Sequence, residues 1–232
     1  MTGDVPKRIL IRGIGPSLAA FNVSGALQNP LLELNGGTFT NDNWKSGGQQ
    51  AEIEATGIPP TDDLESAMVV TLDPGAHTAV LRGVDNTTGI GLIEVYDLAQ
   101  EVNAKLANIS SRGLVQTGDD VMIGGFILEP ASNSSSTVVV RAIGPSLGSR
   151  GVANPLANPT LELRDSQGAL IVSNDDWQQG SDSTTISTRG LAPENSKESA
   201  ALAIPPPGNY TAIVRGVDNT VGVGLVEVYQ LE

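Results

Sequence analysis

The chain has no cysteine, a single histidine, and so few aromatic residues that they make up 3% of its 232 positions. Without thiols there can be no disulfide, no thiolate nucleophile and no cysteine-held zinc or iron–sulfur site. Basic residues are also scarce: 13 Lys and Arg stand against 26 Asp and Glu, a formal net charge of −13. The deficit is even, about −7 in residues 1–100 and −6 in residues 101–232, so there is neither an acidic tail nor a basic patch. Such a surface repels phosphate backbones and anionic lipid, which argues against nucleic acid and membrane surface as partners. No apolar run approaches the ~18 residues needed to span a bilayer. Met1-Thr2-Gly3-Asp4 carries no basic and apolar leader, so the signal of an exported parent protein is expected outside this stretch.

What the chain does have is turn chemistry and repetition. It holds 27 Gly and 14 Pro with only 17% charged residues, a composition suited to strands joined by tight turns. Its length allows two domains, each large enough for its own core. Compared with itself, the chain matches Arg12-Gly13-Ile14-Gly15-Pro16-Ser17-Leu18 to Arg141-Ala142-Ile143-Gly144-Pro145-Ser146-Leu147, and Leu32-Glu33-Leu34 to Leu161-Glu162-Leu163, at an offset of 129. Asn41-Asp42-Asn43-Trp44 matches Asn174-Asp175-Asp176-Trp177 at an offset of 133, as do Glu65-Ser66-Ala67 with Glu198-Ser199-Ala200 and Arg82-Gly83-Val84-Asp85-Asn86-Thr87 with Arg215-Gly216-Val217-Asp218-Asn219-Thr220. The second copy therefore carries four extra residues, expected in a longer hairpin turn around Asp165-Ser166-Gln167-Gly168.

Runs of β-branched and aliphatic residues between Gly, Pro, Asn and Asp clusters read as strands. In the second copy they fall near 112–117, 121–128, 137–142, 159–164, 168–173, 198–204, 208–216 and 222–230. The expected fold is all-β, two tandem antiparallel β-sandwich domains of jelly-roll type. The first spans 1–100 and lacks counterparts of the two leading strands; the second spans 101–232, with a linker at 99–111 whose Glu101 to Leu106 is the one weak helical stretch. The last two strands of each copy read as a hairpin, which would pair Arg82 with Glu94 and Arg215 with Glu227. Alternation points Ile93, Val95, Val226 and Val228 into the core.

The repeated motifs resemble a family of exported bacterial modules found in large multi-repeat surface proteins, with an Arg-x-Ile-Gly-Pro-Ser-Leu turn, an Asn-Asp-Asn-Trp loop and a Val-Glu-Val-Tyr-Asp-Leu end. More loosely, the order Leu-Glu-Leu, Asn-Asp-x-Trp, Pro-Gly-x-Tyr-Thr is similar to bacterial pre-peptidase C-terminal domains, small sandwiches attached to secreted enzymes. The resemblance implies an accessory role outside the cytoplasm and supplies no catalytic residue. His77, where the second copy has Tyr210, departs from the pattern.

No catalytic set is repeated. His77 exists in one copy only, no Gly-x-Ser-x-Gly elbow accompanies it, and a half-buried strand position is its better reading. Gly13-x-Gly15 lacks the third glycine of a phosphate loop, so Gly-Pro-Ser, with Ser17 and Ser146, reads as a turn. Asp42, Asp175 and Asp176 carry the hard oxygens that suit calcium, although Asx-turns account for them better. Trp44 and Trp177 are the residues a sugar could stack on, against the preferred reading of loop tryptophans that cover the end of a core. The expectation is a non-catalytic extracellular structural or adhesive repeat with no required cofactor. Its rivals are a calcium- or carbohydrate-binding accessory module of a secreted enzyme, and a hydrolase dependent on Glu65 or Glu198. Expected partners are an extracellular glycan or protein, or further copies of the chain joined head to tail by β-strand addition to the open first sheet.

Overall fold

The computed structural model describes residues 1–129 and 136–231, and the chain divides into two compact units, Met1–Leu106 and Ala107–Glu232. It is an all-β protein. The first unit contains β1 (Thr2–Gly3), β2 (Lys7–Ile14), β3 (Pro30–Leu34), β4 (Phe39–Asn41), the helix α1 (Gln50–Ala55), β5 (Ser66–Leu72), β6 (Ala79–Gly83), β7 (Leu92–Asp97) and β8 (Ala104–Lys105). The second contains β9 (Asn108–Val115), β10 (Met122–Leu128), β11 (Thr137–Ile143), β12 (Pro159–Asp165), β13 (Leu170–Asn174), the helix α2 (Ser183–Thr188), β14 (Ser199–Ala203), β15 (Gly208–Gly216) and β16 (Gly222–Leu231). No helix among the described residues is long and apolar enough to cross a membrane.

In the second unit two antiparallel sheets, ordered β10-β15-β12-β13 and β14-β11-β16-β9, face each other across one core. Period-two alternation supplies that core: Val138, Val140 and Ala142 from β11 and Val226 and Val228 from β16 meet Leu161 and Leu163 from β12 and Ala212 and Val214 from β15. In the first unit the orders are β4-β3-β6 and β5-β2-β7, with a separate short pair β1-β8. Strand for strand these are the second unit's sheets, each short of one edge, the one occupied there by β9 or β10.

The inner residues of β2, Ile9 and Ile11, enter the sandwich core, while Leu10 faces the opposite way. That outer face is covered too. Ile53 of α1 and Trp44 pack on Leu10, Ala67 and Val69, and Ile186 of α2 packs on Val139 and Ala200 in the second unit. Each unit is therefore a sandwich with a short helix and loop layered over one of its sheets.

Five expectations are corrected here. Residues 101–106 are not helical: Ala104 and Lys105 pair with Gly3 and Thr2, which commits their backbone to a strand ladder. That pairing holds the first unit together as far as Leu106, so the division falls there rather than after residue 100. Residues 108–111 belong to β9 rather than to a linker. The four extra residues of the second copy do not lengthen a turn. β12 has seven residues where β3 has five, and β13 has five where β4 has three, so the strands grow and the connection keeps its length.

The fifth correction is topological. β6 and β7 are not a hairpin, for β6 pairs with β3 and β7 with β2 in the other sheet, and β15 and β16 part in the same way. The connecting loop arches over the edge of the core. Asp85 and Asn86 adopt φ of 56° and 59°, and Asp218 and Asn219 54° and 58°, the left-handed region that Asp and Asn tolerate better than most residues.

Candidate functional site

The arch decides the fate of the repeated charges. Arg82 donates to Glu33 at 2.9 Å and Arg215 to Glu162 at 3.3 Å, each within its own sheet. Glu94 and Glu227, expected opposite those arginines, accept instead from Arg12 and Arg141 on the central strands β2 and β11. Arg12 Nε reaches Glu94 Oε2 at 2.8 Å, its Nη1 donates to the Ile58 carbonyl at 2.7 Å, and its guanidinium lies 5.1 Å from the Tyr96 ring centroid. The Tyr96 hydroxyl donates to Glu94 Oε1 at 2.9 Å. The second unit repeats this: Arg141 Nε to Glu227 at 2.8 Å, Nη1 to the Leu191 carbonyl at 2.9 Å, and Tyr229 to Glu227 Oε1 at 3.0 Å. Arginine, glutamate and tyrosine thus form a closed set on the outer sheet face, with the loop carbonyl tying the overlying layer down. Burial and the Glu94 hydrogen bond push the Tyr96 phenol above its ordinary 10.0, and burial and the Glu227 charge do the same to Tyr229.

The second repeated set is a buried carboxylate. Glu65 and Glu198 are fully buried. Glu65 Oε1 accepts from the N–H of Gly15 at 3.2 Å, the N–H of Ser17 at 3.1 Å and the Ser17 hydroxyl at 2.5 Å, while Oε2 accepts from the Asp62 N–H at 3.3 Å. Glu198 does the same for Gly144, Ser146 and Asn195. Gly15 must be glycine because a Cβ there would meet the Leu27 carbonyl oxygen at 2.1 Å, and at Gly144 the Leu156 oxygen at 2.2 Å. The Gly-Pro-Ser turn opens a short 3₁₀ helix whose first amide groups find their acceptor in this carboxylate. A serine hydroxyl on a carboxylate looks like a nucleophile and its base. Here three donors saturate the one oxygen, so the pair acts as a latch.

The Asn-Asp-x-Trp loops join the sheets. Asn41 Oδ1 accepts from the Ala67 N–H at 2.9 Å and Asn174 Oδ1 from the Ala200 N–H at 3.0 Å, linking β4 to β5 and β13 to β14. The buried hydroxyls of Ser66 and Ser199 make a second link, donating to the Pro30 and Pro159 carbonyls at 2.8 and 2.6 Å. Repetition of Asn41 and Ser66 in the sequence was the signal for these links; their direction, sheet to sheet, was not readable there.

The loop carboxylates stand apart from these networks. Asp42 is half-buried and Asp175 exposed; Asp176 accepts from the Gln179 amide at 2.7 Å. Desolvation, then the charges of Asp176 and Asp218, raise Asp175 above the usual aspartate range. Among the described residues no group of three or more His, Asp or Glu is placed to hold a metal ion. Trp44 is 4% exposed and donates from Nε1 to the Asp62 carbonyl at 3.1 Å, leaving no ring face for a sugar. Trp177 is half-buried, and beside it lies a shallow depression lined by Gln178, Ser183, Thr184, Ser187 and Thr188.

His77 is half-buried, in the loop before β6 rather than in a strand. Its Nε2 donates to the Asp73 carbonyl at 2.8 Å, and Nδ1 accepts from the Asn35 amide at 3.0 Å. Among the described residues, neither ring nitrogen is hydrogen-bonded to a serine or threonine hydroxyl.

No family model matches the sequence, and no curated protein matches it. Among solved structures, the chain is loosely similar to the pre-peptidase C-terminal domain of a collagenase from Bacillus anthracis, with 16% identity over 52% of this chain and 88% of that one and a TM-score of 0.32.

Proposed function

We propose that the chain is a non-catalytic repeat module acting outside the cell, with a structural or adhesive role. One observation carries the reading: the buried and half-buried polar sets repeated in both copies are consumed within the fold. Arg12, Glu94 and Tyr96 satisfy one another, Glu65 is saturated by backbone and Ser17, and Asn41 and Ser66 tie sheet to sheet, as do their counterparts in the second unit. A duplicated enzyme would keep a reactive group free in each copy; a duplicated scaffold keeps what holds sheets together. Screening the purified chain against glycosidase, esterase and peptidase substrates tests this. No turnover is expected, and turnover lost in Glu65→Gln or Glu198→Gln would replace the reading with a hydrolase.

A second reading, carbohydrate binding by the second unit, is favoured by the half-exposed Trp177 beside the hydroxyls of Ser183, Thr184 and Ser187. A glycan array probed with the chain and with Trp177→Ala decides it, binding that vanishes in the variant being the supporting result.

A further inference from the structure

The two units answer the same question differently at one place. In the second, β15 and β16 each have a strand outside them, β10 and β9, and the residues they turn inward are sealed: Ala212 and Val214 are 0% exposed and Val226 2%. In the first, the corresponding Ala79, Leu81 and Ile93 are all partly open, and no residue of β6 or β7 is fully buried. Both strands show a bare hydrogen-bonding edge among the described residues, and between those edges the core is open along one side.

The second unit also shows what fits such an opening. β10 lies antiparallel on β15 from Met122 opposite Val214 to Leu128 opposite Gly208, and β9 on β16 from Val115 opposite Gly222 to Asn108 opposite Tyr229. The first rung of the equivalent ladder is already laid in the first unit. Gly75 corresponds to Gly208, and Met1 stands against it, donating to the Gly75 carbonyl at 2.7 Å and accepting from its N–H at 3.0 Å. Met1 also packs on the core, as Leu128 does in the second unit.

We propose that the first unit is an acceptor for a β-hairpin of the β9–β10 pattern, joined to Met1 and lying along β6 and β7. β6 is the shorter strand, five residues against nine in β15, and the hairpin extends it back to Gly75. The occupant differs from residues 107–127 in one respect. A Cβ on Gly224 would meet Val115 Cγ2 at 2.9 Å, whereas on Gly91 it would meet Leu81 Cδ2 at 2.7 Å. Leu81 has moved into the space that Val115 fills, so the incoming strand carries a small residue at that point.

The test is an extended chain in which a copy of residues 107–127, with alanine at the position copied from Val115, is fused directly to Met1. Amide hydrogen exchange is read by mass spectrometry. The expected result is slowing of at least about tenfold in residues 75–83 and 92–97, with β15 and β16 unchanged. A control extension with aspartate at the positions copied from Met122 and Phe126 should give no slowing. Retaining valine at the Val115 position should give less slowing than alanine. The proposal is overturned if the alanine extension leaves β6 and β7 exchanging as before, or if the aspartate control protects them equally. It is also overturned if the unextended chain protects these strands as its concentration rises, which would assign the groove to a second copy.

Discussion

His77 Nε2 donates to the carbonyl of Asp73 at 2.8 Å, and 133 positions on the Tyr210 hydroxyl donates to the carbonyl of Pro206 at 2.5 Å. The one histidine thus does a tyrosine's work, pinning the loop that leads into the penultimate core strand. His77→Tyr should leave unfolding in urea within about 0.5 kcal/mol of the parent, whereas Tyr210→Phe should lose ~1 kcal/mol, the net worth of one hydrogen bond. A loss of several kcal/mol in His77→Tyr would break the equivalence.

The glutamate latch should be costly to open. Glu198→Ala removes the acceptor for the N–H groups of Gly144, Ser146 and Asn195, and orphaned buried donors cost roughly 1–3 kcal/mol apiece. A loss of about 3 kcal/mol or more in the second unit is expected, followed by Trp177 fluorescence in a Trp44→Phe background. Glu198→Gln, which keeps an acceptor oxygen, should cost less; equal losses in the two would show that packing rather than hydrogen bonding matters there.

Equivalent inward valines should differ in sensitivity. Val228 is 9% exposed and lies between two neighbouring strands, while Val95 is half-buried on an edge strand. Val228→Asp should cost at least ~4 kcal/mol and unfold the second unit, because a carboxylate there has no partner, and Val95→Asp only ~1–2 kcal/mol. Circular dichroism melts of the two variants provide the check, and a Val228→Asp chain that melts like the parent would mean that β16 faces the other way.

Alkaline pH should act through the two motif tyrosines. Their folded-state values lie above the ordinary 10.0 because burial and the neighbouring glutamates favour the neutral phenol. The stability this contributes is fully present below pH 10.0 and is lost as pH rises through the raised folded values, since the unfolded chain ionises first. Absorbance titration at the phenolate band should show late-ionising tyrosines, one fewer in Tyr229→Phe. Titration of Tyr229 at or below the ordinary value would contradict the Glu227 contact.

The strands of the second unit were legible in the sequence to within a few residues, because alternation and turn residues are local signals. The partnership of the strands was not. Whether a five-residue loop such as Asp85 to Gly89 folds a strand back on its neighbour or carries it to the facing sheet depends on what stands beside each strand, and that pairing is long-range. The partners of Arg82 and Glu94 depend on the same long-range pairing. Helices α1 and α2 leave no periodic signal because each has six residues and a single buried side chain, Ile53 or Ile186; the sheet face beneath decides them, more than any periodicity of their own. Of the candidate site, the identity of the participating residues was visible as repetition, and their internal satisfaction was visible only in three dimensions.

The β12–β13 hairpin has grown outward by two residues on each side while Leu161 still faces Asn174 as Leu32 faces Asn41. The pairing below the tip is thus the same in both units although the tip of the second stands further out. An enlarged loop there pays a closure entropy that rises only with the logarithm of its length, about 0.6 kcal/mol per doubling. That tip is consequently the place to graft an epitope or an affinity tag: foreign sequence inserted between Asp165 and Leu170 would be displayed at the far end of the hairpin from the repeated Leu161–Asn174 pairing.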